Sequence, residues 1–145
     1  MTASPDTSAS RLDALLPRVT EIAAEASRQI EEIAAHRADK TEVKEDGSPV
    51  TEADRRSHDV ICAALRALDP GVPVVSEEGD KSVAEGSAPP DVFWLVDPLD
   101  GTKEFVKGLG EYTVNIARVQ AGSPVLGVIQ VPASGVVYCG AKDVG

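Results

Sequence analysis

The sequence predicts an α+β domain in which two helices pack on a mostly antiparallel sheet. In the first half, apolar residues recur at spacings of three and four through two long segments, which marks helices with one buried face. From Val72 onward, short runs rich in Val and Ile alternate with brief Gly- and Pro-containing turns, a pattern that favours hairpins. A length of 145 residues makes one domain the default. Hydrophobic and charged contents of 42% and 26% are those of a soluble globular protein. With one Trp, two Tyr and two Phe, the core must rest on aliphatic side chains.

The elements follow in order. Residues 1–10 are small and polar and read as a disordered N-terminus, leaving 11–145 as the folded domain. Leu12, Leu15, Leu16, Val19, Ile22, Ala23, Ala26, Ile30 and Ile33 form one helical face. Pro17 places the regular start of that helix between residues 13 and 16, with the proline in the first turn. His36 to Glu45 is a polar connection. Thr51 with Asp54 three residues later fits a capping box for a second helix, from Glu52 to Leu68. Ser57, Ile61, Ala64, Leu65 and Leu68 share one face of it, and His58 is expected to face solvent. Asp69-Pro70-Gly71 ends the helix.

Val72 to Val75 is a short strand that Pro73 limits to an edge or places among the strand's first residues, followed at once by Ser76-Glu77-Glu78-Gly79. Val92 to Asp97 is a buried strand, whose ladder Pro98 is expected to end because it has no N–H. Tyr112 to Gln120, Val125 to Val131 and Val136 to Cys139 are further strands joined by short turns.

The chemistry concentrates in Asp97-Pro98-Leu99-Asp100-Gly101-Thr102-Lys103-Glu104-Phe105. Asp97, Asp100 and the Leu99 carbonyl can converge as hard oxygen ligands for Mg²⁺. Gly101 allows close backbone approach, and the N–H groups after it can receive a phosphate at a helix start. A bare Asp-x-x-Asp-Gly is more often an ordinary Asp-rich turn after a strand. The full string, however, resembles the signature of the lithium-sensitive, Mg²⁺-dependent phosphatase superfamily that includes the inositol monophosphatases. It looks most like the 3′(2′),5′-bisphosphate nucleotidase branch, since inositol monophosphatases usually carry Thr-Asn where this chain has Lys103-Glu104. Lys44 to Asp54, Ser76-Glu77-Glu78 and Gly110 to Ala117 resemble the same branch.

The resemblance implies the N-terminal half of a layered αβαβα sugar-phosphatase fold. It makes Glu77, Asp97, Asp100 and the Leu99 carbonyl metal ligands for two or three Mg²⁺ ions. Asp54 and Thr102 become the pair that activates the attacking water, and Glu78 orients a water near the metal. Gly101, Thr102 and Lys44 are placed near the phosphate. Several clustered carboxylates repel one another, and divalent cations are the natural compensation. Two cations can clamp a phosphate ester and stabilise both the attacking and the leaving oxygen. No Cys or His is placed as a nucleophile.

The implied activity is hydrolysis of the 3′-phosphate of adenosine 3′,5′-bisphosphate to AMP. The alternatives are an inositol-1-monophosphatase-like enzyme and a non-catalytic metal-binding fragment. Family members continue into a second α/β domain bearing a Trp-Asp motif that supplies another ligand. The 145 residues contain no Trp-Asp pair, and that domain is expected to be absent from them. The expected partner is a small phosphorylated nucleotide, and a homodimer is allowed. A net charge of −10 argues against a nucleic-acid surface. No apolar run approaches a membrane span, and Met1 to Ser10 lacks the basic start and apolar centre of a signal peptide. Cys62 and Cys139 lack metal-ligand spacing, so reduced thiols and a cytoplasmic location are expected.

Overall fold

A computed structural model of the chain describes residues 4–38, 48–77 and 89–144. Two long helices, α1 (Ala9–Ala38) and α2 (Ser48–Leu68), pack against each other and against one face of a sheet. The sheet runs in the order β1 (Val74–Ser76), β2 (Val92–Asp100), β3 (Thr113–Gln120), β4 (Ser123–Val131), β5 (Val136–Ala141). A five-residue helix, α3 (Thr102–Val106), follows β2. Every neighbouring pair is antiparallel except β1 with β2, which is parallel. The predicted α+β class, with helices on a mostly antiparallel sheet, is the architecture observed.

Burial follows the predicted periodicities. Leu12, Leu15, Val19, Ala23, Ala26 and Ile30 of α1 are buried. They meet the inward side chains of the strands, which alternate with a period of two, as in Trp94 and Val96 of β2 or Val114 and Ile116 of β3. On the opposite face of the sheet, Leu95, Ile129 and Tyr138 are exposed.

Several boundaries differ from expectation. The helix α1 begins at Ala9 and holds Pro17 in its interior. Ser8 supplies the start, its Oγ accepting the Arg11 N–H at 3.1 Å. Pro17 removes one helical hydrogen bond, and buried Leu12, Leu15 and Val19 on either side hold the helix onto the core. The segment before it is also tied down, because the Asp6 carbonyl accepts from Arg118 Nη1 at 3.0 Å.

The helix α2 begins four residues before the expected Glu52, so Thr51 lies inside it rather than capping it. Pro49 falls in the first turn, where the missing N–H has no helical partner to lose. Pro98 does not end β2 either. The pairing slips between Asp97 and Asp100 and resumes with Asp100 opposite Thr113, as a bulge permits. The turn between β3 and β4 is only Ala121-Gly122, with φ of 50° and 80°, the double positive φ of a tight hairpin turn.

Candidate functional site

The C-terminal ends of β1 and β2 lie side by side because the two strands are parallel, with Ser76 opposite Val96. Glu77 continues β1 by donating its N–H to the Val96 carbonyl at 3.1 Å. Glu77 and half-buried Asp97 thereby line one cavity of about 570 Å³, together with Asn115 and the exposed Leu95, Ile129 and Tyr138. Asp97 faces Asn115 across the β2–β3 ladder. Asn115 Nδ2 points at Asp100 Oδ2 at 3.5 Å, while its Oδ1 is buried without a hydrogen-bond partner. Two expected ligands thus meet in one cavity, and the third is joined to it through Asn115.

The backbone after Asp100 is fixed by a glycine. Gly101 has φ of 96°, and a Cβ there would lie 2.8 Å from the Glu111 carbonyl oxygen. The close approach expected of Gly101 is therefore realised against the chain's own backbone. Thr102, exposed, opens α3, whose Phe105 packs edge-on against Tyr112 with ring centroids 5.1 Å apart. Tyr112 in turn donates from its hydroxyl to Glu31 of α1. Leu99 is buried.

Half-buried Asp54 lies on α2, which packs against β2, β1 and α3. Ser57, one turn later, is fully buried and donates from Oγ to the Pro98 carbonyl at 2.7 Å. The helix bearing Asp54 is thus bonded to the residue between Asp97 and Leu99. His58 does not face solvent as expected, because its Nδ1 is hydrogen-bonded to Ser76 Oγ at 2.8 Å. The sequence reading also passed over Asn115 as a site residue. Its position within the Gly110 to Ala117 string was the one available signal.

Lys44 and Glu78 lie outside the described residues. Among the described residues, no three His, Cys, Asp or Glu side chains gather closely enough to hold a metal ion. The ion pairs among them engage Glu21, Glu25, Glu52 and Asp69, and none engages Glu77 or Asp100. The chemistry of the donors that do converge still suits a hard divalent cation. Glu77 and Asp97 offer carboxylate oxygens, and Asn115 adds an unpaired amide oxygen beside them. Cys62 is buried, which pushes its thiol up, so it is no ready nucleophile.

The 3′(2′),5′-bisphosphate nucleotidase CysQ of Salmonella typhimurium is 52% identical over 99 residues, covering 68% of this chain and 40% of that protein. CysQ of Escherichia coli K12 matches at the same identity and coverage. This chain therefore spans less than half the length of these relatives. The crystal structure of CysQ from Bacteroides thetaiotaomicron, described as a bacterial member of the inositol monophosphatase family, superimposes with a TM-score of 0.74. It shares 42% identity, and the match covers 89% of this chain and 46% of that one. Residues 14–145 match the inositol monophosphatase family as a whole, and the chain belongs to that family.

Proposed function

We propose that this chain carries the metal- and phosphate-binding corner of a Mg²⁺-dependent phosphomonoesterase acting on the 3′-phosphate of adenosine 3′,5′-bisphosphate. The observation that supports this reading best is the convergence of Glu77 and Asp97 on one cavity beside the unpaired Asn115 Oδ1. Glu77, Asp97, Asp100 and the Leu99 carbonyl would hold the cation. A divalent cation bound there supplies positive charge that neutralises the phosphate and eases loss of a proton from water. Asp54 takes that proton, and Thr102 orients the attacking oxygen against it. Gly101 keeps the turn tight, so that the backbone after Asp100 can approach the phosphate closely. Lys44 and Glu78 belong to the same reading, as a phosphate contact and a water-orienting carboxylate. The second domain of the family, with its Trp-Asp ligand, would contribute a further metal contact and most of the nucleotide surface. The nucleotide is preferred over an inositol ester because Lys103-Glu104 follows the bisphosphate-nucleotidase pattern, and relatives bearing that name are 52% identical.

Two measurements on the 145-residue chain test the reading. Titration with Mn²⁺, followed by the loss of the free-ion electron paramagnetic resonance signal, should show binding that Asp100→Asn weakens. Phosphate release is then compared for adenosine 3′,5′-bisphosphate and inositol 1-phosphate, with and without Mg²⁺. Mg²⁺-dependent release from the nucleotide is the expected result. Preference for the inositol ester overturns the substrate, and absence of any Mn²⁺ binding overturns the metal corner itself.

A further inference from the structure

Three hydrogen bonds close a triangle around the candidate site. Ser57 Oγ joins α2 to β2 at Pro98, at 2.7 Å. His58 Nδ1 joins α2 to β1 at Ser76, at 2.8 Å. The Glu77 N–H joins the end of β1 to β2 at Val96, at 3.1 Å. Each link lies within one turn or one residue of a proposed metal or proton-handling group. Asp54 precedes Ser57 and His58 by three and four residues, so all three share one face of the helix. Pro98 stands between Asp97 and Leu99, and Ser76 immediately precedes Glu77.

The His58 link closes the weakest side. The strand β1 has three residues, none fully buried, and among the described residues pairs only with β2. A strand that short at a sheet edge opens locally at little cost. Glu77 rides on its end, so local opening of β1 would splay it away from Asp97, with which it shares a cavity. A second hydrogen bond, from a helix that the buried Ser57 already anchors to β2, opposes that splaying. The Cys62 sulfur, 3.6 Å from His58 Nδ1, packs against the same ring nitrogen one turn along α2.

We infer that His58 is a positioning residue, which through Ser76 restrains the end of β1 that carries Glu77 into the cavity it shares with Asp97. The inference rests on the metal corner proposed above, and assigns to it a residue that touches neither cation nor substrate.

The test is Mn²⁺ affinity of the 145-residue chain, read by electron paramagnetic resonance, with the urea midpoint measured in parallel. His58→Ala should weaken Mn²⁺ binding by about tenfold, the usual scale when a group orienting a metal ligand is removed, while the urea midpoint barely moves. His58→Asn should restore most of the affinity, because its amide can place either an acceptor or a donor near the position of Nδ1. Ser76→Ala should reproduce the loss, and combining it with His58→Ala should add nothing, as expected for two ends of one bond. It also serves as the fallback should His58→Ala not fold. Unchanged affinity in Ser76→Ala, or an Asn variant as weak as the Ala variant, overturns the inference. Wild-type binding that Asp97→Asn abolishes but His58→Ala leaves intact overturns this inference alone. A wild-type chain that binds no Mn²⁺ overturns the metal corner, and this inference with it.

Discussion

Near the start of β2, Asp69 is buried and accepts three hydrogen bonds. They come from Trp94 Nε1 at 2.9 Å, Arg118 Nε at 3.1 Å and Arg11 Nη2 at 3.2 Å. At the other end of the same strand, Asp100 and Glu77 are exposed and Asp97 is half-buried, and no salt bridge among the described residues reaches Glu77 or Asp100. The helix α2 spans both ends, ending beside Asp69 and carrying Asp54 near its start. One carboxylate is closed off by the protein's own cations. Glu77 and Asp100 meet no such cation among the described residues. A buried carboxylate without such partners would be neutralised or would destabilise the fold. A cluster already satisfied by arginines would have nothing to offer a metal. The difference separates an acidic group that builds the fold from those that the proposed metal corner would use.

The largest expected effect breaks the structural end. Asp69→Ala removes the carboxylate partner of Arg118, whose side chain is fully buried. Its guanidinium is left beside Trp94 with only neutral acceptors among the described residues, the Asp6 carbonyl and the Gln120 amide. Removing one partner of a buried pair costs about 3–5 kcal/mol, so urea unfolding should shift by that amount. A loss below about 1 kcal/mol would show that Arg118 finds water or another acceptor, and that this end is not a closed centre.

The next effect breaks the open end. Asp97→Asn should lower Mn²⁺ affinity by at least about a hundredfold, since loss of a group that merely orients a ligand already costs about 10–100-fold. The urea midpoint without metal should fall far less than in Asp69→Ala, because half-buried Asp97 keeps an isosteric side chain. A clear loss of stability would place Asp97 with Asp69 as a structural carboxylate.

Gly101→Ala comes third and acts on the backbone that shapes the open end. It forces a side chain onto a φ of 96° and within 2.8 Å of the Glu111 carbonyl. A strained backbone position of this kind costs about 1–3 kcal/mol, to be read from the urea midpoint. Wild-type stability would mean that the Asp100–Thr102 turn yields easily, and that the ligand geometry does not depend on it.

These two ends differed in how far the sequence revealed them. Of the open end, the sequence shows the strings in which Asp97 and Asp100 stand beside a strand end and turn residues, while Glu77 is singled out only by the family resemblance of Ser76-Glu77-Glu78. The helices and strands were legible through their apolar periods, and Pro73 pointed to an edge or to the first residues of β1. The closed end was not, since Asp69 reaches Trp94 and Arg118 across 25 and 49 residues, and no local pattern encodes such a pairing. His58 was missed for the same reason, its partner Ser76 lying 18 residues away. Pro17 points to a later start for α1 than the one observed, because the cap at Ser8 and the burial of Leu12 outweigh the hydrogen bond that the proline removes. Pro98 misled likewise, since a bulge lets pairing resume at Asp100.

The smallest expected effect sharpens the account of the closed end by separating its two arginines. Arg11 has a side chain 29% exposed, against 0% for Arg118. Its Nη2 bonds both Asp69 Oδ1 and the carbonyl of Leu68, the last residue of α2. Water can replace much of what a half-exposed guanidinium supplies. In Arg11→Ala, Asp69 also keeps its bonds to Trp94 and Arg118. The loss should therefore be about 1 kcal/mol, the scale of a single net hydrogen bond, again measured by urea unfolding. Part of it should survive at 1 M salt, because the bond to the neutral Leu68 carbonyl is less screened than the ion pair. A loss equal to that of Asp69→Ala would shift the weight of the closed end from the buried arginine to the half-exposed one. The strand end near Trp94 would then be held from the helix surface rather than from within the sheet.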